Sequence, residues 1–468
     1  MLVENEQKSM TEKITQKING HFAIKFFGIY IFLLILGTVI LLQPFSLREG
    51  QSISLVDAFF VTTSALTATG LSPVGLTSTF NMFGHFIIIL LIQFGALSIV
   101  MMIAYFWLKI RQKINFNDHK TMINENPLKS ENIWTFIKGV LIMVLVIQFV
   151  AFVSLSAYFL IADQFNLRQS LFQSLFMVVA LFSNAGFDIN WSGYSYSMYQ
   201  TNYFIQSIAI ILIFIGSMGL YPLYELKEFL VAKKRKESFK FSTLTKWVLA
   251  LHIFIWLISA GMIFGLERTR FLADKSILES IYFTLFMGLT TRSAGFTLAP
   301  LDSLSTMTQI LFMGLMFLGA APNSFAGGIR LTTIILIALG LKAMLSGKDH
   351  IVIKERRIRY DNVFHAFVVM FVAILLVGVG FVSIALFESS VSITRVAFEV
   401  ISAFGTTGLT LGTVEIMGTP AKIVLMVVML VGRIGILPLL MRFKGSHQET
   451  SEKDRMTGDY PEIDMIVG

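Results

Sequence analysis

Residues Leu66–Leu71 read LTATGL and close a short apolar segment, ISLVDAFFVTTSALTATGL, that starts at Ile53. A hydrocarbon core of roughly 30 Å takes about 20 apolar helical residues to cross, so this segment is too short for a span. It is also too apolar for a surface loop. Three other stretches end in the same way: FSNAGF (Phe182–Phe187), TRSAGF (Thr291–Phe296) and GTTGLT (Gly405–Thr410). Registered on Gly70, Gly186, Gly295 and Gly408, they recur about 110 residues apart, each after a short segment and before a long apolar run. Thr or Ala precedes each glycine, and Leu or Phe follows it.

Working outward, the chain is 55% hydrophobic and only 14% charged, with a mean hydropathy of +0.73. Eight long apolar runs stand out: Phe22–Leu42, Phe83–Leu108, Gly139–Ala162, Phe204–Leu223, Trp247–Phe264, Ile310–Leu341, Ala366–Leu386 and Ile423–Met441. Four shorter segments lie between the members of successive pairs and carry the glycine turns. The expected fold is an all-α polytopic membrane protein: four tandem repeats of helix, pore half-helix and helix, in a pseudo-fourfold arrangement around a central pore. Their expected bounds are 22–110, 131–232, 242–345 and 360–443, with cytoplasmic ends at 1–21 and 444–468.

Most of the 37 Lys and Arg fall before the first run, in Lys109–Lys138, Lys227–Lys246 and Lys342–Arg359, or after Met441. Basic connectors stay on the cytoplasmic side, which predicts eight transmembrane helices with both termini inside and all four short segments entering from outside. A twelve-span secondary symporter, with the short segments crossing fully, would invert the basic connectors and is the disfavoured alternative. The first 20 residues are too polar for a cleaved signal, so Phe22–Leu42 is expected to be retained. The net charge of +8 follows from these connectors and calls for no nucleic acid. KKRKESFK (Lys233–Lys240) reads as a solvated loop facing anionic head groups or a soluble partner.

Several chemistries are excluded. There are no cysteines, and the seven histidines show no metal-ligand spacing. His85 and His252 lie in apolar spans and are expected to hydrogen-bond a neighbouring helix. Neither HExxH nor GxSxG is present, and no P-loop precedes a helix, so the chain is not expected to be an enzyme or to hydrolyse ATP.

Non-helical backbone at membrane depth persists only where it is buried in protein or lines a water-filled cavity. Four glycine turns around one axis would face their carbonyls inward and replace a cation's hydration shell. Each half-helix would also point its negative C-terminal end at the centre. A single such turn reads as an ordinary helix C-cap; four in register read as a cation filter. The filter residues are then Ala68, Thr69 and Gly70; Asn184, Ala185 and Gly186; Ser293, Ala294 and Gly295; and Thr406, Thr407 and Gly408.

TSALTATGLS (Thr63–Ser72), TTRSAGF (Thr290–Phe296) and FEVISAFGTTGLTLG (Phe398–Gly412), with FLGAAPNSFAGGIR (Phe317–Arg330) and VGRIG (Val431–Gly435), resemble the Trk/Ktr/HKT superfamily of potassium transporters. The resemblance spans essentially the whole chain and is nearest the Ktr-type membrane subunit. It implies potassium uptake across the plasma membrane. Sodium enters as an activating or coupled ion, no cofactor is covalently bound, and the filter's own K+ is the metal, held by backbone carbonyls. It also implies a homodimer in the bilayer, on a cytoplasmic octameric ring of nucleotide-binding subunits of the RCK/KTN class; only that partner binds nucleotide. The glycine-rich break in the sixth run would be a mobile gate below the filter, comprising Gly319, Ala320, Pro322, Asn323, Ser324, Gly327 and Gly328 with the pore arginine Arg433. In this family a serine at the first filter glycine raises sodium permeability, so Gly70 argues for potassium. Phe325 and Arg330 depart from the family's usual loop, which often carries threonine and lysine at those positions.

The residues themselves add further expectations. Burying an arginine in a span costs at least about 2.5–3.5 kcal/mol, which marks Arg433 as functional. It is expected to repel cations or hold the Gly319–Gly328 loop shut, or to pair with carbonyls that the loop frees, and the two roles are compatible. Arg292, inside the third turn, must point away from a cation path. It is expected to brace the filter from behind by pairing with Glu399 or Asp57.

Overall fold

A computed structural model describes residues 28–111, 133–162, 166–189, 201–322, 324–347, 351–353, 356–358 and 360–436. The expected cytoplasmic ends 1–21 and 444–468, and Asn323 of the expected gate, lie outside these residues. Among the described residues fourteen helices carry the fold, besides the single turn Leu76–Thr79. The first segment holds α1 (Gly28–Leu41), α2 (Leu55–Leu66) and α3 (Met82–Arg111). The second holds α4 (Ile133–Ile161), α5 (Leu167–Phe182), α6 (Tyr203–Ser217) and α7 (Leu220–Arg235). The third holds α8 (Thr243–Glu267), α9 (Ile277–Thr290), α10 (Thr306–Leu318) and α11 (Leu331–Leu345). The fourth holds α12 (Tyr360–Phe387), α13 (Ile393–Gly405) and α14 (Thr419–Ile434).

Among the described residues the strands are a short antiparallel pair, β1 (Ile351–Ile353) and β2 (Arg356–Ile358), with Ile351 opposite Ile358. This hairpin sits in a basic connector and departs from the all-helical expectation. Three described helices contain stretches long and apolar enough to cross a membrane: Thr135–Ile161, Thr245–Glu267 and Asn362–Phe387.

The four short helices α2, α5, α9 and α13 have 12, 16, 14 and 13 residues. At a rise of about 1.5 Å per residue, none reaches across the hydrocarbon core. Their starts are written in the sequence. Ser54, Asn166 and Ser276 each accept a hydrogen bond from the amide three residues on, and Ser392 holds the same position before α13. Such caps satisfy amides that the first turn leaves without partners.

Each half-helix packs on the long helix that precedes or follows it in its own segment: α2 on α3, α5 on α4, α9 on α8 and α13 on α14. Each is also packed by a neighbour: α3 lies on α5, α6 on α9, α10 on α13, and α14 returns to α2. The helices therefore close a circle. Small residues permit the approach, since a side chain at Gly95, Gly216 or Gly432 would overlap the carbonyl of Leu66, Phe182 or Phe404, the last residue or penultimate residue of a half-helix.

Among the described residues three of the eight apolar runs are broken, the eighth where α14 ends at Ile434 before Gly435 with φ of 85°. The sixth divides into α10 and α11 around Gly319–Arg330, in keeping with its glycines and proline. The fourth was expected to be one span over Phe204–Leu223. Instead α6 ends at Ser217, and α7 departs at an angle of 108°. Gly219 makes the corner with φ of 96°, a conformation that other residues reach only with strain.

Candidate functional site: four turns above a clamped loop

Each half-helix ends in a backbone hairpin stitched to its own last turn. After α2, the amide of Thr69 donates to Ser64 O (2.8 Å), and that of Gly70 to Ser64 Oγ (3.0 Å). After α13, Thr407 donates to Ser402 O (2.9 Å) and Gly408 to Ser402 Oγ (3.1 Å), the same arrangement. After α5, Ala185 donates to Ala180 O (2.9 Å), and Ala180 has no hydroxyl to hold the glycine amide. After α9, Ala294 donates to Thr290 O (2.8 Å), while Thr290 Oγ1 accepts from Phe296 N (2.8 Å). The hydroxyls of Ser64, Thr290 and Ser402 were missed in the sequence. Their signal is a hydroxyl six positions before the amide that it holds.

The four glycines all have positive φ: 97° at Gly70, 66° at Gly186, 76° at Gly295 and 90° at Gly408. They also crowd one another. A Cβ on Gly70 would lie 2.5 Å from Ala185 O and 2.6 Å from the Cα of Gly186. One on Gly186 would lie 2.8 Å from Thr69 O and 3.0 Å from Thr407 O. One on Gly295 would lie 2.9 Å from the Cα of Gly186, and one on Gly408 3.0 Å from the Cα of Gly70. The structure thus brings four distant turns to one spot, where carbonyls of Thr69, Ala185 and Thr407 meet. Ala68, Asn184 and Thr406 also take left-handed backbone, at 48°, 52° and 44°, which re-aims the peptides leading into that spot.

Directly against the turns lies the loop Gly319–Arg330. Ser293 Oγ accepts from Gly327 N (3.2 Å), and a Cβ at Gly327 would run into the Thr406 side chain. The buried ring of Phe325 packs on Phe182, with centroids 5.4 Å apart. Three arginines hold the loop by its carbonyls. Arg292 donates from Nε to Gly319 O (3.3 Å) and from Nη1 to His252 O (3.1 Å). Arg433, buried in α14, donates from Nη1 to Phe325 O, and Arg330 donates from Nη1 to Ala326 O. Of the two readings of Arg433, its contact is the carbonyl one. Gly319, Ala320, Pro322, Ser324, Gly327 and Gly328 all fall within this loop, and Ser324 Oγ closes a local turn on Ala321 O (2.7 Å).

The expected pairing of Arg292 with Glu399 or Asp57 is wrong. Arg292 is committed to two backbone carbonyls on the loop side. Buried Glu399 has partners of its own, with Oε1 accepting from Thr410 Oγ1 (2.7 Å), Leu411 N (2.9 Å) and Thr413 Oγ1 (2.7 Å). It braces the chain leaving the fourth turn. Asp57 accepts from Lys422 Nζ at 2.6 Å and so ties α2 to α14. Among the histidines, His252 Nε2 meets Ser217 Oγ across helices (3.1 Å), as expected, whereas His85 Nε2 meets Leu76 O (3.1 Å) within its own segment.

A closed circle of apolar helices around four half-helix turns, with an unwound loop against them, defines a membrane-embedded transport fold. Residues 50–453 match the family described as TrkH, cation transport protein, and the chain belongs to that family. It is 34% identical to the Ktr system potassium uptake protein D of Bacillus subtilis, over 94% of this chain and 96% of that one. It is 30% identical to the potassium/sodium uptake protein NtpJ of Enterococcus hirae, over 94% and 95%. Its fold matches the crystal structure of the potassium transporter TrkH from Vibrio parahaemolyticus with a TM-score of 0.70 and 20% identity, covering 92% and 86% of the two chains. These relatives are transport proteins, not enzymes.

Proposed function

We propose that the chain takes up potassium through a pseudo-fourfold filter whose four turns end at Gly70, Gly186, Gly295 and Gly408. In this reading eight helices span the plasma membrane, the half-helices enter from outside, and both termini are cytoplasmic. The observation that carries it is the mutual crowding of the four glycines, which leaves carbonyl oxygens as the groups facing a common centre. Carbonyl dipoles there replace the water around a cation. The names of two relatives as potassium uptake proteins, and of a third as a potassium/sodium uptake protein, support the choice of ion. The inside-negative potential supplies about 2.3 kcal/mol per charge per 100 mV, which sets the inward direction.

The loop Gly319–Arg330 is the gate in this reading, with Arg433 holding it from α14. Sodium is an activating or coupled ion. A second copy of the chain and a cytoplasmic nucleotide-binding ring are the proposed partners, a reading that the Ktr system names of two relatives support. The test is potassium and sodium uptake by Gly70→Ser in a cell lacking its own uptake systems. Sodium flux should rise and potassium flux fall. If neither changes while the protein reaches the membrane, the filter assignment fails.

A further inference from the structure

The α6–α7 corner is absorbed neither by the filter nor by the gate as described above. In the proposed topology α6 belongs to a span, and α7, turned 108° from it, then lies close to the membrane plane and has the composition of such an element. Its first turns are buried: the Tyr224 ring stacks on Phe136 near the start of α4, with centroids 5.0 Å apart, and Glu225 Oε2 accepts from Ser242 N (2.9 Å). The rings of Phe229, Phe239 and Phe241, 5.2–6.1 Å apart, then clasp α7 to the segment returning toward α8. Beyond that clasp, Lys233, Lys234, Arg235, Lys236, Lys240 and Lys246 are exposed, and Glu237 is the single acidic residue among Lys233–Lys240. Leu230 and Trp247, both 49% exposed, are the large apolar side chains beside them.

Basic side chains with an exposed tryptophan and leucine fit a membrane surface. The cations meet anionic head groups while the apolar groups enter the acyl boundary. A soluble acidic protein would satisfy the charges but would leave Trp247 and Leu230 at a membrane edge.

The other end of α7 touches the loop. The loop amides of Ala321 and Phe325 donate to Ser217 O and Gly216 O, the carbonyls freed at the corner (both 3.3 Å). A Cβ at Gly219 would lie 2.7 Å from Pro322 O, so corner and loop are in backbone contact. His252 joins the same network, meeting Ser217 Oγ with its ring and accepting from Arg292 with its carbonyl.

We propose that the exposed basic face of α7 and its return segment, Lys233–Trp247, docks anionic phospholipid head groups of the inner leaflet, and that this docking sets the position of the Gly319–Arg330 loop. The lipid contact stands by itself, whereas its effect on flux rests on the loop being the gate.

The test uses the purified full chain in phosphatidylcholine vesicles holding a small fraction of brominated lipid, with Trp247→Phe subtracted to isolate the quenching of Trp247. Brominated phosphatidylglycerol should quench at least about threefold more than brominated phosphatidylcholine at equal mole fraction. The preference should vanish in K233Q/K234Q/R235Q/K236Q and in 1 M salt, where the screening length falls to about 3 Å. Equal quenching by the two lipids overturns the docking face, and the same result with an acidic soluble protein shielding these lysines assigns the surface to a protein. In the same vesicles, rubidium flux should change about threefold with added phosphatidylglycerol in the unmodified chain and not in the quadruple variant. Preferential quenching without a lipid effect on flux overturns the link to the loop. Failure of the filter reading would instead appear as unchanged ion selectivity in Gly70→Ser, with quenching unaffected.

Discussion

The four glycine turns and the loop beneath them are both non-helical backbone inside a bundle, yet they are held in different ways. The turns are stitched by short bonds to their own half-helices, with partners four to six residues away, and packed backbone to backbone. The loop is held mainly by side chains and carbonyls from elsewhere: Arg292 from the third turn, Arg433 from α14 and the carbonyls of the α6–α7 corner. Local stitching fixes a geometry whatever the neighbours do. Long-range clamps by flexible guanidinium groups can be released one at a time. The contrast is the one that the proposed reading, with rigid turns and a movable loop, requires.

The strongest way to break this contrast is Gly186→Ala. The added Cβ meets two carbonyls in a left-handed backbone, and strain of roughly 2–3 kcal/mol there should lower potassium uptake about a hundredfold. Uptake within twofold of the unmodified chain, at equal membrane levels, would show that the turns are not packed this tightly. Next in size is Arg433→Ala, which removes a charged hydrogen bond worth about 1.5–3 kcal/mol and should raise cation flux about tenfold. Unchanged flux with normal assembly would remove Arg433 from the gate.

A sharper comparison pairs the loop's brace with the filter's. Arg292→Gln and Glu399→Gln share no hydrogen-bond partner, so their effects on stability should add within about 0.5 kcal/mol in thermal unfolding of the detergent-solubilised protein. Strong coupling would restore the direct pairing that the geometry rejects. The smallest expected effect is that of Ser402→Ala. Loss of the bond to Gly408 N, worth about 1 kcal/mol, should cut the ratio of potassium to sodium flux about fivefold and leave the closed loop alone. The second turn already lacks this hydroxyl at Ala180, so a selectivity unaffected by Ser402→Ala would make all four turns equivalent in that respect.

The turns were legible because they repeat. Gly70, Gly186, Gly295 and Gly408 stand in register, and glycine is the residue that reaches positive φ at no steric cost. The break in the sixth run was legible for the same kind of reason, since Gly319, Pro322, Gly327 and Gly328 cannot continue a helix in lipid. The corner at Gly219 escaped because GSMGLYP (Gly216–Pro222) is as apolar as the helix around it, and hydropathy does not register direction. The partners of Arg292 escaped too. Charge matching in the sequence offers carboxylates, whereas a buried guanidinium accepts any converging carbonyls, and backbone carbonyls are invisible as a pattern.

The sequence by itself therefore determined a helical membrane protein with four half-helix turns and one interrupted helix, because apolar length and glycine spacing are local properties written along the chain. Only the tertiary structure decided that the turns converge on one another, that three arginines hold the loop by its carbonyls, and that the second segment bends at Gly219 onto that loop. Those relations depend on which carbonyls are left free once helices end, and that is settled by residues distant in sequence, such as Arg433 and Phe325, meeting in the folded chain.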